Sequence, residues 1–98
     1  MSDYRPDYWT IIDTGECCKV LAGWSGGYLD GDSWKLNSGI TKVEDLGDEW
    51  AFHGVTGSVY YCNKEMKRTG NANYHIFKKM IDAGCKEIEV NEIKLVEQ

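Results

Sequence analysis

The feature that most constrains this chain is an apolar repeat of period two, interrupted by a glycine-bearing turn roughly every ten residues. In "CCKVLAGW" the residues Cys18, Val20, Ala22 and Trp24 share one face. "SWKLN" separates Trp34 and Leu36 from Lys35 and Asn37, and "EWAFHG" separates Trp50 and Phe52 from Ala51 and His53. "GSVYYCN" sets Tyr60 and Cys62 against Val59 and Tyr61. Successive side chains of a strand point to opposite faces, so this pattern predicts strands. "YWTIID", residues 8–13, is rich in β-formers, while "GITKVE" is less regular because Ile40 and Val43 stand three positions apart. Between these runs lie "TGE", "SGGY", "LDGD", "NSG", "LGD" and "VTG". Such residues tolerate the positive φ of tight turns, as an antiparallel meander requires.

One segment has a different period. After Asn73, "YHIFKKMIDA" places Ile76, Phe77, Met80 and Ile81 on one side and Lys78 and Lys79 on the other. That spacing predicts an amphipathic helix with Asn73 as N-cap, ended by Gly84 at the C′ position. The final run alternates as Ile88 and Val90, then Ile93 and Leu95. The slip at Asn91–Glu92 marks a bulge or the end of a closing strand. The expected fold class is therefore α+β: a curled antiparallel β-sheet of about five to seven strands, with one α-helix near residues 73–83 packed on one face. A chain of 98 residues fits one domain, taken as residues 1–98.

Several function classes are disfavoured by the totals. No run approaches the ~20 apolar residues that cross a bilayer, so no membrane association is expected. "MSDYRPDYWT" lacks the basic start and apolar block of a secretory leader, which points to the cytoplasm. Cys17, Cys18, Cys62 and Cys85 form no C-x-x-C pair, and His53 and His75 are remote from them in sequence. Free thiols and no metal or cofactor are the expectation. Residues 1–62 hold four Lys/Arg and ten Asp/Glu, a balance of −6, within a total of 11 − 16 = −5. An acidic surface repels nucleic acid and attracts basic protein surfaces, so no direct nucleic-acid partner is expected. The local cluster Lys64, Lys67 and Arg68 reads as a solvated face.

The stretch "AGWSGGYLDGDSWKLNSGI", residues 22–40, concentrates five glycines, two tryptophans, a tyrosine and two aspartates. As a calcium loop it fails: counted from Asp30, position 5 is Trp34 and position 6 is Lys35, where an oxygen ligand and a glycine are needed. Neither phosphate-binding glycine motif is present. The aromatics carry more weight. A domain this small cannot bury all of Trp24, Tyr28, Trp34, Trp50, Tyr60 and Tyr61, and aromatics left at a surface mark binding sites. Trp50, Phe52 and Tyr60 are assigned to the core. Trp24, Tyr28 and Trp34, beside Asp30 and Asp32, form the candidate protein- or ligand-binding site. His53, with Ser58 in the second glycine-rich turn "HGVTGS", is added to it. A thiolate–imidazole pair of Cys62 with His53 or His75 is the enzymatic alternative, although no spacing brings them together.

"GGYLDGDSWKLNSGI" followed by "FHGVTGSVYYCNKE" resembles small, uncharacterised accessory proteins of bacteriophages and prophages, over residues 17–64, about half of the chain. The resemblance implies a protein that works in the host bacterial cytoplasm and binds and blocks a host factor, including defence nucleases, or sequesters a signalling nucleotide. Taken with the charge, the expected function is a non-enzymatic binding protein that inhibits a host defence protein by occupying a basic surface. The alternative is a small-molecule binder that stacks a nucleotide base on Trp24 or Trp34. An exposed edge strand, the first or the last, would also allow a homodimer.

Overall fold

The computed structural model describes residues 2–26 and 31–97. A short strand that the pattern did not indicate, β1 (Asp3–Tyr4), comes first. The strand-like runs then form β2 (Tyr8–Asp13), β3 (Cys18–Trp24), β4 (Ser33–Leu36), β5 (Ile40–Asp45), β6 (Glu49–Gly54), β7 (Val59–Asn63) and, over its first residues only, β8 (Lys86–Ile88). The one helix among the described residues longer than a 3-10 turn is α1 (Tyr74–Asp82). The fold is α+β and mostly antiparallel, as the periodicity requires. The strands do not make one curled ribbon, however. They number eight among the described residues and divide into two four-stranded sheets, ordered β4-β3-β2-β8 and β1-β7-β6-β5.

The inward faces of the two sheets form the core. Trp9, Ile11, Cys18, Val20 and Ala22 come from the first sheet; Ile40, Phe52, Tyr60 and Cys62 come from the second. Trp9 is fully buried, its ring centroid 5.4 Å from that of Phe52, and its indole N–H donates to the Asn63 carbonyl at 2.7 Å. Trp50 packs on the margin of this cluster, so the assignment of Trp50, Phe52 and Tyr60 to the core holds.

The first sheet is also covered on its other face, which makes it the middle of three layers. Tyr8, Thr10, Ile12 and Leu21 are all buried although they point away from the second sheet. This explains why "YWTIID" reads as a continuous apolar run: strands buried on both faces lose the alternation of half-exposed ones. The cover is the turn before α1 and the helix itself. Tyr8 Oη accepts the Ala72 N–H at 2.8 Å, and Asn73 Nδ2 donates to the Leu21 carbonyl. Asn73 does occupy the N-cap position, but its side chain makes no cap bond, because it is committed to Leu21 and to the Gly70 N–H. At the other end, Gly84 adopts φ +101°. The Gly84 N–H bonds Ile81 O and the Cys85 N–H bonds Met80 O, a complete Schellman closure.

The closing segment departs from its expected form. β8 is three residues long and pairs with β2. The alternation Ile88, Val90 then breaks into a 3-10 turn, Val90–Glu92, in which Glu89 and Glu92 cap each other's backbone N–H groups. The chain then crosses to the second sheet, where the Val96 N–H donates to the Ile40 carbonyl at 2.8 Å. That bond closes one seam of the sandwich beside the edge strand β5. The terminal strands β1 and β8 lie at sheet edges, and β1 pairs parallel to β7. No helix among the described residues is long and apolar enough to cross a membrane.

Candidate functional site

A cleft of about 580 Å³ opens where β1, the end of β3 and the start of β4 meet. Tyr4, Trp24 and Trp34 border it, with Asp7 and Lys35 as its charged groups. Its size is within the range of ligand pockets. Two fixed points hold the Trp24 indole: its N–H donates to the Arg5 carbonyl at 3.0 Å, and its ring meets Tyr4 edge-on at 6.2 Å. Tyr4 in turn packs on Tyr60 at 4.9 Å, which ties the cleft floor to the core. Asp7 braces the rim, accepting the Ser25 N–H at 2.8 Å while its own N–H donates to the Gly23 carbonyl. Two of the three aromatic groups are therefore pre-positioned, which lowers the ordering entropy of binding.

Trp34 is less restrained. Register pairs Trp24 with Ser33 and Trp34 with Gly23, so the two indoles leave the sheet from opposite faces. Both still border the cleft, which lies around the end of the β3–β4 ladder. Trp34 is 42% exposed on an edge strand and, unlike the other exposed large hydrophobic residues, borders this cleft. Asp32 is exposed immediately before β4, while Tyr28 and Asp30 lie outside the described residues.

His53 is not brought to this cleft. It occupies the outer face of the second sheet, where Nε2 and Glu44 Oε1 are 2.5 Å apart and Lys42 approaches Glu44 at 3.9 Å. The bond to His53 holds the Glu44 carboxyl below the ordinary glutamate range. His53 borders a separate cleft with Thr41, Gly54, Gly57 and Val96. Cys62 is fully buried on the inward face of β7, and burial pushes its thiol well up. The alternation of β6 places His53 on the opposite face from Phe52 and the core, so a thiolate–imidazole pair of these two residues has no geometric support. Among the described residues no group of three or more His, Cys, Asp and Glu is placed to hold a metal ion.

A second pocket shares a wall with the aromatic cleft, and residue patterns did not reveal it. Tyr4 and Lys35 line both, with the Lys35 ammonium 5.3 Å from the Tyr4 ring centroid. The remaining polar lining comprises Lys19, Asn37, Ser38, Thr56 and Ser58, around about 360 Å³. Asn37 stands where β4 leaves the first sheet. Its N–H donates to Val20 O, and its Oδ1 accepts the Val20 N–H at 2.9 Å, so the side chain continues the ladder that the backbone abandons. The Asn37 carbonyl instead accepts Lys19 Nζ at 3.2 Å. Because the Val20 N–H must meet an acceptor, the amide orientation is fixed. Asn37 Nδ2 is then a buried donor with no hydrogen-bond partner. The sequence did place Lys35 and Asn37 on the same side of "SWKLN"; burial of the amide required the tertiary packing.

No protein-family model, curated protein or solved structure matches this chain.

Proposed function

We propose that this chain is a non-enzymatic binding protein that seats a partner protein at the Tyr4–Trp24–Trp34 cleft. The observation that carries this reading is the Trp34 indole, held 42% exposed beside a cleft whose other aromatic groups are already fixed. Aromatic anchors at the centre of an interface supply most of its energy. The acidic balance of residues 1–62, with Asp7 and Asp32 near the cleft, suits a basic partner surface and speeds encounter. With the resemblance to phage accessory proteins, the partner is a host defence protein whose basic surface is blocked in the bacterial cytoplasm. Affinity capture from bacterial lysate, run in parallel with wild type and Trp34→Ala, tests this. Loss of a hot-spot indole weakens association by about 2 kcal/mol or more, roughly 30-fold. A discrete complex that is retained equally by Trp34→Ala refutes the reading.

A second reading, a small-molecule binder for a nucleotide, is supported by the wall shared between the aromatic cleft and the polar pocket. A nucleotide panel in a thermal-shift assay separates the two, since a small-molecule binder gains stability with its ligand and a protein inhibitor does not.

A further inference from the structure

We propose that the polar pocket at the seam between the two sheets is an oxyanion site that takes a phosphate group. The inference stands whichever partner occupies the aromatic cleft. Its starting point is the Asn37 amide: a residue 3% exposed, with a donor that nothing among the described residues satisfies. A buried unpaired donor is costly, and the residue that carries it lines an open pocket, so a small shift of the amide would offer the donor to an acceptor bound there.

The rest of the lining specifies the kind of acceptor. Two lysines, Lys19 and Lys35, line the pocket, and among the described residues no carboxylate does. That is a local reversal in a chain with 16 acidic and 11 basic residues. Among the described residues neither lysine has a carboxylate within ion-pair distance. Lys19 spends one N–H on the Asn37 carbonyl, which leaves two. Ser38 Oγ already accepts the Thr56 N–H and lies 3.3 Å from Thr56 Oγ1, so one of these two hydroxyls keeps a hydrogen to donate. Ser58 adds a third hydroxyl. Tyr60 also lines the pocket, and burial raises its hydroxyl to about 12, so it remains a neutral phenol. Donor-bearing residues that line one pocket, with two positive charges and, among the described residues, no negative one, match a tetrahedral oxyanion with several acceptor oxygens.

A Cβ at Gly54 would stand 3.0 Å from Ser38 Oγ and 3.5 Å from Asn37 Nδ2. Gly54 therefore allows the two turns that carry the donors to approach.

The phosphate has two sources, free inorganic phosphate or the phosphate of a nucleotide whose base reaches the neighbouring aromatic cleft. The test follows the side-chain NH2 signals of Asn37 by two-dimensional 15N–1H NMR. Inorganic phosphate, a nucleoside 5′-monophosphate and sodium chloride of matched ionic strength are titrated separately. The expected result is a saturable shift with phosphate that chloride does not reproduce. Lys35→Gln, a change at an exposed residue, should weaken binding about tenfold, as expected for loss of one charge-assisted hydrogen bond. Equal half-points for phosphate and monophosphate identify the free anion as the ligand. Tighter monophosphate binding with quenching of tryptophan fluorescence identifies the nucleotide. An Asn37 shift no larger than with chloride shows a pocket filled by water only and overturns the proposal. So does undiminished phosphate binding by Lys35→Gln.

Discussion

Tyr8 lies between two glycines, and this arrangement fixes how the helical layer sits on the middle sheet. A Cβ at Gly23 would be 2.2 Å from Tyr8 Cε1, and one at Gly70 would be 2.6 Å from Tyr8 Cζ. The ring is 2% exposed, its hydroxyl accepts the Ala72 N–H, and the Arg68 guanidinium lies 5.0 Å from the ring centroid. Gly23 is in β3 without a positive φ, so alanine there meets no backbone strain. The cost of Gly23→Ala is steric. The ring must retreat by more than ~1 Å before carbon atoms regain an ordinary separation of ~3.5 Å. The chain at Gly70 blocks that retreat. If the ring swings aside, the buried Ala72 N–H loses its acceptor, which itself costs about 1–3 kcal/mol. Overpacking with no easy relaxation is at the upper end of the usual range, about 3 kcal/mol. At about 4–8 °C per kcal/mol for a domain of this size, the melting temperature should fall by about 12–24 °C. Thermal unfolding followed by circular dichroism measures it. In a Tyr8→Ala background the methyl meets no ring, so the second substitution should cost far less than it does alone. A Gly23→Ala variant that melts within about 4 °C of wild type, or costs that simply add, would refute the argument.

Stability should fall in acid, in part and modestly through the solvent-exposed carboxylates Glu44 and Asp45. Bonds to His53 and Lys64 respectively hold these carboxyls below their ordinary values of 4.5 and 3.8. Their contribution is complete above those values and is lost as pH falls through the lower folded ones, so Glu44→Gln with Asp45→Asn should flatten the acid limb of a plot of Tm against pH. An unaltered limb would remove these two groups from the account. A thiol reagent should modify the half-buried Cys17 and Cys85 in the native protein, while Cys18 and Cys62, buried with raised thiols, should react only on unfolding. Mass spectrometry of the labelled native protein checks the order; early label on Cys62 would contradict the packing. Trp34→Ala should cost stability about 1 kcal/mol, because a side chain 42% exposed on an edge strand packs only in part. A larger loss would mean that Trp34 is structural, not a recognition group.

Much of the strand register was legible. Cys18, Val20 and Ala22 on one face, and Tyr60 and Cys62 on another, are the residues found in the core. The helix and its glycine stop were legible too, because amphipathic spacing and a C′ glycine are local signals. The capping role given to Asn73 was not fulfilled by its side chain, since Leu21 offered a competing acceptor 52 positions away. The closing alternation misled for a related reason. Glu89 and Glu92 could cap each other locally, and the turn they form redirects Val96 to Ile40.

The sequence by itself determined strands β2 to β7, their turns and the helix, because each depends on neighbours a few positions away. It also placed Trp24 and Trp34 beside the same glycine-rich bend. Only the tertiary structure decided that the strands divide into two sheets and that the middle sheet is covered on both faces. It also separated His53 from the indoles and buried the Asn37 amide beside two lysines. These outcomes depend on which distant segments meet, and period and composition carry no term for that: the same alternation suits one curled sheet or two stacked ones until Tyr8 has settled between Gly23 and Gly70.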